Sequence, residues 1–187
     1  GDAFNGQCAV EDWKDIAFIA AGSSSTIGIK KDGKILLTGY NANGKFDEAE
    51  SWKDIVSVAV SVNHIVGLRK NGTLISVIAD KSECCDVESW KNIKAISAGN
   101  SHIVGLKYDG TVISTEERDL IKSEAEKIRN VASVYVGDNF VLCMKKDGTL
   151  EAIGNNGQIK SAVKKWKNMA SVASGSHYAA GLKRDGS

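Results

Sequence analysis

The sequence contains no proline and few aromatic residues, which make up 6% of its 187 residues. It also has almost no net charge, since 24 basic and 23 acidic side chains give a formal charge of +1. This balance gives no electrostatic attraction to nucleic acid or to an anionic membrane. No apolar run approaches the roughly 20 residues that a membrane-spanning helix requires. We therefore expect no nucleic acid and no membrane insertion.

The sequence also lacks the motifs of common catalytic and cofactor sites. It has no phosphate-binding G-x-x-x-x-G-K-S/T, no G-x-S-x-G and no H-E-x-x-H. Its four cysteines include an adjacent pair, Cys84 and Cys85, but no C-x-x-C and no second pair that would complete a zinc site. The Asn and Asp spacing between Asn41 and Glu48 does not fit a calcium-binding loop. We expect no enzyme activity, no metal and no cofactor; the redox compartment stays open.

What the sequence does contain is a repeated Asp-Gly or Asn-Gly pair. The glycines of these pairs follow one another at intervals of 39, 38, 38 and 38 residues, at Gly33, Gly72, Gly110, Gly148 and Gly186. Such a pair between two β-prone runs predicts a hairpin, here with a tight type I′ turn that has positive φ at both central residues. The fixed period predicts a repeat protein.

Each repeat opens on Trp-Lys-Asp or Trp-Lys-Asn, except that Ile128 replaces the tryptophan of the fourth. The tryptophans at this register are Trp13, Trp52, Trp90 and Trp166. Three short β-prone runs follow, and the last is cut off in the fifth repeat. Because one such unit cannot bury both of its faces, neighbouring units must stack, with the tryptophans between them. We predict an all-β fold, a β-propeller or propeller arc of about five blades of 38–39 residues.

The predicted domain is single, 1–187, with blades at approximately 1–39, 40–78, 79–116, 117–154 and 155–187. Its ends fall in the middle of a blade, so we expect a fragment of a longer propeller. Residues 115–127 lack turn signals and favour either a short helix, for which Ser123 and Glu126 form a capping box, or a solvated charged loop. Cys143 stands where the other repeats have glycine, which predicts a small buried thiol.

These motifs resemble a known family. The order G-x-N-x-x-G-Q, then W-K-D-I, then A-G-x-x-H-x-x-G-L-K-x-D-G-T is similar to the regulator of chromosome condensation (RCC1-like) repeat in its bacterial form. The resemblance covers essentially the whole chain and implies a propeller blade. Relatives are usually seven-bladed, and they act as guanine-nucleotide exchange factors, chromatin binders or β-lactamase inhibitors. The resemblance therefore implies binding to a protein.

Candidate binding residues lie between the first and second strands of each repeat. A variable polar residue occurs there at Ser24, Asn63, Ser101, Asn139 and His177, with Tyr178 beside the last. Variable loops on a rigid fold suit recognition, although an unconstrained loop has the same pattern. His64 and His102 recur at one position of different blades, which do not converge on one ion, so we interpret them as structural.

The leading hypothesis is a non-catalytic module that recognises a protein through these loops. The alternatives are a carbohydrate-binding or carbohydrate-processing propeller of a secreted protein, which needs loop aromatics and paired carboxylates, and an architectural spacer. Clustering of four aromatic residues on one face would favour recognition, and scatter would favour spacing: Phe4, Tyr40, Tyr108 and Tyr178. Because an open arc leaves unpaired strand edges, we also expect self-association.

Overall fold

The computed structural model describes residues 3–22, 24–79, 86–99, 102–115 and 119–187. These residues form two compact units, which comprise residues 1–93 and 94–187 of the chain. The secondary structure consists of five small antiparallel sheets, one in each repeat, and the strands of each sheet are adjacent in the order of the sequence. The fold is therefore all-β, as predicted.

Four sheets have three strands and the fifth has two. The strands are β1 Ile16–Ala21, β2 Ser25–Lys30, β3 Ile35–Gly39, β4 Ile55–Val60, β5 His64–Arg69, β6 Leu74–Ile78, β7 Ile93–Ala98, β8 Ile103–Lys107, β9 Val112–Ser114, β10 Val131–Val136, β11 Phe140–Lys145, β12 Leu150–Gly154, β13 Met169–Ser174 and β14 Ala179–Lys183. Helices α1, Asp119–Ala125, and α2, Gly157–Val163, precede β10 and β13, and a 3-10 helical segment, Ala42–Ser51, precedes β4.

Within each unit, consecutive sheets pack through two different faces. The leading face of a repeat carries its opening tryptophan and every third residue around it, which in repeat 2 are Ala49, Trp52, Ile55 and Val58. The trailing face carries the residues that flank the central glycine of the second strand, such as Ile27 and Ile29 of repeat 1. These two sets form one buried hydrophobic cluster between repeats 1 and 2.

The second unit repeats this packing twice. Val104 and Leu106, on the trailing face of repeat 3, share a cluster with Ile128, Val131 and Val134 on the leading face of repeat 4. The cluster between repeats 4 and 5 likewise joins trailing residues to leading ones: Phe140, Leu142 and Leu150 to Val163, Trp166, Met169 and Val172. Burial of branched side chains on both faces of a middle strand explains why these strands read as apolar at nearly every position.

The hairpin turns differ from the prediction. Gly33 has positive φ, but Asp32 does not, and the same holds in the other four repeats. Lys30 N donates to Lys34 O and Gly33 N donates to Lys30 O, so three residues form the loop and a left-handed glycine ends it. The type I′ prediction was wrong because the Asp or Asn side chain accepts a hydrogen bond from the N–H two residues later, as Asp109 does from Thr111 at 2.9 Å.

The connection before β10 is a helix, one of the two alternatives that the sequence left open. Two residues of this helix, Ile121 and Ala125, are buried. The capping box predicted there is wrong, because α1 begins at Asp119 and places Ser123 inside the helix, where its hydroxyl donates to Leu120 O at 3.2 Å. Helix α2 was not predicted; Asn156 caps it by accepting a hydrogen bond from Ile159 N at 3.0 Å.

Candidate recognition surface

The loop between the first two strands of each repeat has one recurring backbone geometry. In repeat 4, Gly137 N donates to Phe140 O at 2.9 Å, which closes a tight turn around Asp138 and Asn139. The same bond closes the loops of the other four repeats, from Gly22 to Ser25, Ser61 to His64, Gly99 to His102 and Gly175 to Tyr178. In the four repeats where the variable polar residue is described, at Ser24, Asn63, Asn139 and His177, it therefore occupies the tip of a closed turn.

A second hydrogen bond holds the tip, and its donor lies in the segment that follows the third strand of the same repeat. Asn139 O accepts a hydrogen bond from Asn155 N, and Ser24 O and Asn63 O accept equivalent bonds from Tyr40 N and Ala79 N. A glycine with positive φ makes this approach possible in repeat 4, since a Cβ on Gly154 would lie 2.5 Å from Asn139 O. The backbone of the tip is thereby held, and only its side chain is left to vary.

In the second unit, two tips adjoin. Asp138 N donates to Ser176 O at 3.0 Å, and Asp138 Oδ2 lies 3.9 Å from Nε2 of His177. The side chain of His177 is 76% exposed, and Asn139 is exposed as well. Asp138, Asn139 and His177, with Tyr178 at their border, are the tip surface of repeats 4 and 5. It offers a carboxylate, an amide and an imidazole within one patch.

The remaining tip candidates are less prominent. In the first unit, Ser24 and Asn63 are half-buried. Ser101 lies outside the described residues. Tyr178 follows the tip, and the residues at its position in the other repeats, Ser25, His64, His102 and Phe140, are all buried. Tyr178 is instead 70% exposed, so it differs from its four equivalents.

His64 and His102 are completely buried at this position. The backbone N–H of His64, the first residue of β5, donates to Ser61 Oγ at 3.2 Å. Among the described residues, no three His, Cys, Asp or Glu side chains lie close enough together to hold a metal ion. The same part of the chain contains no helix with the length and apolarity needed to cross a membrane.

The opening tryptophans lie over glycines of their own sheets. A Cβ on Gly28, Gly67 or Gly181 would come within 2.8 Å of the ring of Trp13, Trp52 or Trp166. In repeat 4, Ile128 and Cys143 occupy the two positions and belong to one buried cluster. Burial raises the pKa of the Cys143 thiol to about 12, and the nearby Glu151 carboxylate adds to the effect. The thiol is therefore protonated. Its burial was predicted, because the other repeats have glycine at this position.

Two regular features of the sequence around the opening tryptophan were not predicted. An apolar residue stands three positions before it, at Val10, Ala49, Val87, Ala125 and Val163, and it is buried in every repeat but the first. Two positions after it, the backbone is left-handed, at Asp15, Asp54, Asn92, Asn130 and Asn168. Asp and Asn tolerate this conformation better than other side chains, which explains why the third letter of the motif is always one of the two.

An ion pair fixes the helical connection of repeat 4. Both carboxylate oxygens of Glu124 accept hydrogen bonds from Lys160 Nζ, at 2.8 and 2.9 Å, and Oε2 also accepts one from Gly154 N at 2.8 Å. Partial burial alone would raise the pKa of Glu124, but these donors outweigh burial and lower it below its ordinary value. Glu124 thereby links α1 to α2 and to the end of β12.

The four aromatic residues whose clustering or scatter was to separate recognition from spacing are divided between the two units, and the two in the second unit lie at opposite ends of their strands. In the second unit, Tyr178 stands at the tip before β14, whereas Tyr108 stands in the hairpin turn at the opposite end of a second strand, β8. In the first unit, Tyr40 packs edge-on against Phe46 with ring centroids 6.4 Å apart, and Phe4 is exposed. Within the second unit, Tyr108 and Tyr178 therefore do not form one aromatic surface.

The fold has well-matched relatives among solved structures. Prp20p of Saccharomyces cerevisiae superposes with a TM-score of 0.65 at 21% identity, over 90% of this chain and 55% of that one. Human WBSCR16 superposes with a TM-score of 0.70 at 12% identity, over 93% and 59% of the two chains. This chain has an RCC1-like β-propeller repeat fold.

The fold extends beyond yeast and human proteins. The CRINKLY WD40 ectodomain of the Arabidopsis thaliana receptor kinase ACR4 superposes with a TM-score of 0.65 at 15% identity, over 89% of this chain and 60% of that one. The chain spans between half and three fifths of the length of these structures. No protein-family model matches the sequence, and no curated protein does. The similarity to known proteins is therefore one of fold.

Proposed function

We propose that the chain is a non-catalytic binding module that recognises a protein partner through the tips between the first two strands. The observation that carries the proposal is the tip surface of repeats 4 and 5. Asn139 projects from a turn that is closed by the bond from Gly137 N to Phe140 O and is held by a second bond from Asn155 N. His177 projects from a turn that is closed by the bond from Gly175 N to Tyr178 O and is joined to Asp138 N through Ser176 O. Because the backbone is already ordered, binding there would cost little conformational entropy.

The chemistry of this surface suits a polar protein contact. Asp138 accepts hydrogen bonds, Asn139 both donates and accepts them, and the imidazole of His177 adds two ring nitrogens that can form hydrogen bonds. Prp20 has been solved bound to Kap60, and the structure of Prp20p was described together with its binding to Gsp1p and histones. Those partners are proteins, which supports a protein partner here while leaving its identity to experiment.

The scatter of the aromatic residues favours a second candidate, the architectural spacer. A spacer would present the same rigid tips without using them. The two functions differ in what happens when the tip side chains alone are changed, since Asn139 and His177 are exposed and their removal leaves the backbone bonds of the turn in place.

The test is a quantitative pull-down from the source cells with the wild-type chain and the double variant Asn139→Ala/His177→Ala. The matched control is Tyr108→Ala, an exposed residue of a hairpin turn. We expect at least one protein that the wild type and the control retain and the tip variant loses. With that protein purified, the tip variant should bind at least about tenfold more weakly, a difference of about 1.4 kcal/mol. Equal retention by all three chains would favour the spacer.

A further inference from the structure

An open cavity of about 310 Å³ lies in the second unit, between the hairpin of repeat 3 and the helical connection of repeat 4. Lys107 of β8 and residues 111–114 of the turn and β9 form one wall. The other wall consists of four residues spaced at three and four positions: Lys122, Ala125, Glu126 and Arg129. Glu126 N donates to Lys122 O at 3.0 Å, so the helical turn of α1 continues beyond Ala125. Residues at this spacing share one face of a helix, which here faces the hairpin.

The inner part of this cavity is mainly apolar. Val112 and Ala125 are buried and belong to the cluster between repeats 3 and 4, and Ile113 is half-buried beside Val112. Ser114 is the buried polar residue of the lining. A cavity of this volume is at the lower end of the range for small-molecule sites, which are lined mostly by apolar side chains with a few polar groups. The cavity can therefore accommodate the apolar part of a small molecule.

The outer part of the cavity is positively charged. Lys107, Lys122 and Arg129 carry three of the four charges in the lining, and Glu126 carries the fourth. Among the described residues, no hydrogen bond or ion pair engages the ammonium group of Lys107 or Lys122. Lys122 is exposed and Lys107 is half-buried. Both ammonium groups are therefore available to a ligand.

Arg129 is held in position at the same cavity. Its Nη1 donates to Glu126 O at 2.5 Å and to Ile128 O at 2.8 Å. These bonds occupy Nη1 and leave the donors on Nη2 and Nε for a ligand. Asp109 in the hairpin turn also interacts electrostatically with Lys107 and Arg129. With Asp109 included, the described side chains around the cavity supply three positive and two negative charges, so a positive surplus remains.

We propose that this cavity binds a small organic anion, whose carboxylate or phosphate group contacts the three cationic residues and whose apolar body packs on Val112 and Ala125. Hydrogen bonds between ionised partners are stronger than those between neutral ones, and burial of the apolar body adds to the affinity. Neither an inorganic anion nor an uncharged apolar molecule would use both parts of the cavity. The cavity does not include Asn139 or His177, so this proposal does not depend on the function proposed above.

The test is a titration of the 187-residue chain with phenyl phosphate, an organic anion with an aromatic body, followed through the backbone amide signals by NMR. We expect saturable shifts that are largest at residues 111–114 and 122–126, with a dissociation constant of about 1 mM. Inorganic phosphate lacks the apolar body and benzyl alcohol lacks the charge, so each should bind at least about tenfold more weakly. Equal binding of inorganic phosphate would overturn the proposal, as would the absence of saturation at residues 111–114 at about ten times that concentration.

Two variants test the cationic part of the cavity. Lys107→Gln and Lys122→Gln each remove one charge and no described side-chain hydrogen bond, so both should keep the wild-type circular dichroism spectrum. Each should weaken the binding of phenyl phosphate at least about threefold, because a charge-assisted hydrogen bond is lost. The matched control is Lys30→Gln, which changes the residue at the same hairpin position of repeat 1 and should leave the affinity at the wild-type value. Binding that neither Lys107→Gln nor Lys122→Gln weakens overturns the proposal.

Discussion

Repeats 2 and 4 fill the same two positions of the blade interface with different pairs of residues. In repeat 2, the ring of Trp52 lies against Gly67, whose missing side chain makes room for it. In repeat 4, the smaller Ile128 is matched by the larger Cys143, and both belong to one buried cluster. A large residue faces glycine, and a smaller residue faces a side chain. The blade interface therefore constrains the combined volume at the two positions more strongly than it constrains either residue.

The two repeats also differ in how they hold the connection that precedes their first strand. In repeat 2, the amide of Asn41 accepts a hydrogen bond from Phe46 N at 3.1 Å and donates one to Asp47 at 2.6 Å. Phe46 is completely buried and fills the space beneath the connection. In repeat 4, a helix supplies the buried residues, and the carboxylate of Glu124 joins it to α2 and β12. The connection of repeat 2 is therefore held mainly by the amide of Asn41, and that of repeat 4 mainly by the charged carboxylate of Glu124.

The largest effect should come from exchanging the residue pairs. Gly67→Cys places a Cβ 2.8 Å from two ring atoms of Trp52, and overpacking of this kind costs about 1–3 kcal/mol. Adding Trp52→Ile, which recreates the pair of repeat 4, should recover part of that loss. Urea unfolding of the two single variants and the double variant measures the coupling. Strict additivity of the two changes would contradict volume matching.

An intermediate effect is expected at Glu124, and it should depend on pH. Its pKa is lowered in the folded chain, so its stabilising contribution is present above the ordinary value of 4.5 and is lost as the pH falls through the lowered value. Glu124→Gln should therefore lower the free energy of unfolding at neutral pH, by about 1 kcal/mol. The difference from the wild type should shrink in acid.

The matched control for this measurement is Asn156→Ala, which removes the uncharged cap of α2 in the same region. It should cost about 1 kcal/mol without a change across the same pH range. Urea midpoints of the three chains between neutral and acid pH are the readout. A Glu124→Gln deficit that stays constant in acid would show that the charge of Glu124 does not contribute.

The smallest change concerns reactivity rather than stability. Because burial raises the pKa of Cys143 to about 12, this thiol should resist alkylation at neutral pH, whereas the exposed Cys8 should react. Mass mapping of the labelled peptides distinguishes the two. Ile128→Ala should speed labelling of Cys143 if the isoleucine covers it, while Trp52→Ala should not. Rapid labelling of Cys143 in the folded wild type would contradict its burial.

Much of the fold could be predicted because the repeat is local. Three short β-prone runs were predicted after each opening motif, and the structure has its strands there, for example β1, Ile16–Ala21, and β10, Val131–Val136. Their apolar runs end at glycines that the period places. The turn type was not predictable from the dipeptide alone. The side chain of Asp109 or Asn71 accepts a hydrogen bond from the backbone N–H two residues later. This bond competes with the left-handed backbone conformation that a type I′ turn would need at the same residue.

The candidate site could be predicted only in part. Sequence variation placed Asn139 and His177 in one class, and the fold shows that they sit on turns that adjoin through the bond from Asp138 N to Ser176 O. The sequence placed Tyr178 with them. Its exposure, however, could not be read from the sequence, because Ser25, His64, His102 and Phe140 at the same position are all buried.

The sequence by itself determined the five-fold repeat, the short antiparallel strands, the hairpins and the fixed register of the opening tryptophans. These follow from local periodicity and from backbone conformations that only certain residues adopt. Tertiary structure alone decided which apolar faces are covered, how Ile128 and Cys143 share one volume, and that Glu124 ties two helices together. Those features depend on contacts between residues that are distant in sequence. Burial results from such contacts and not from the sequence of any one repeat.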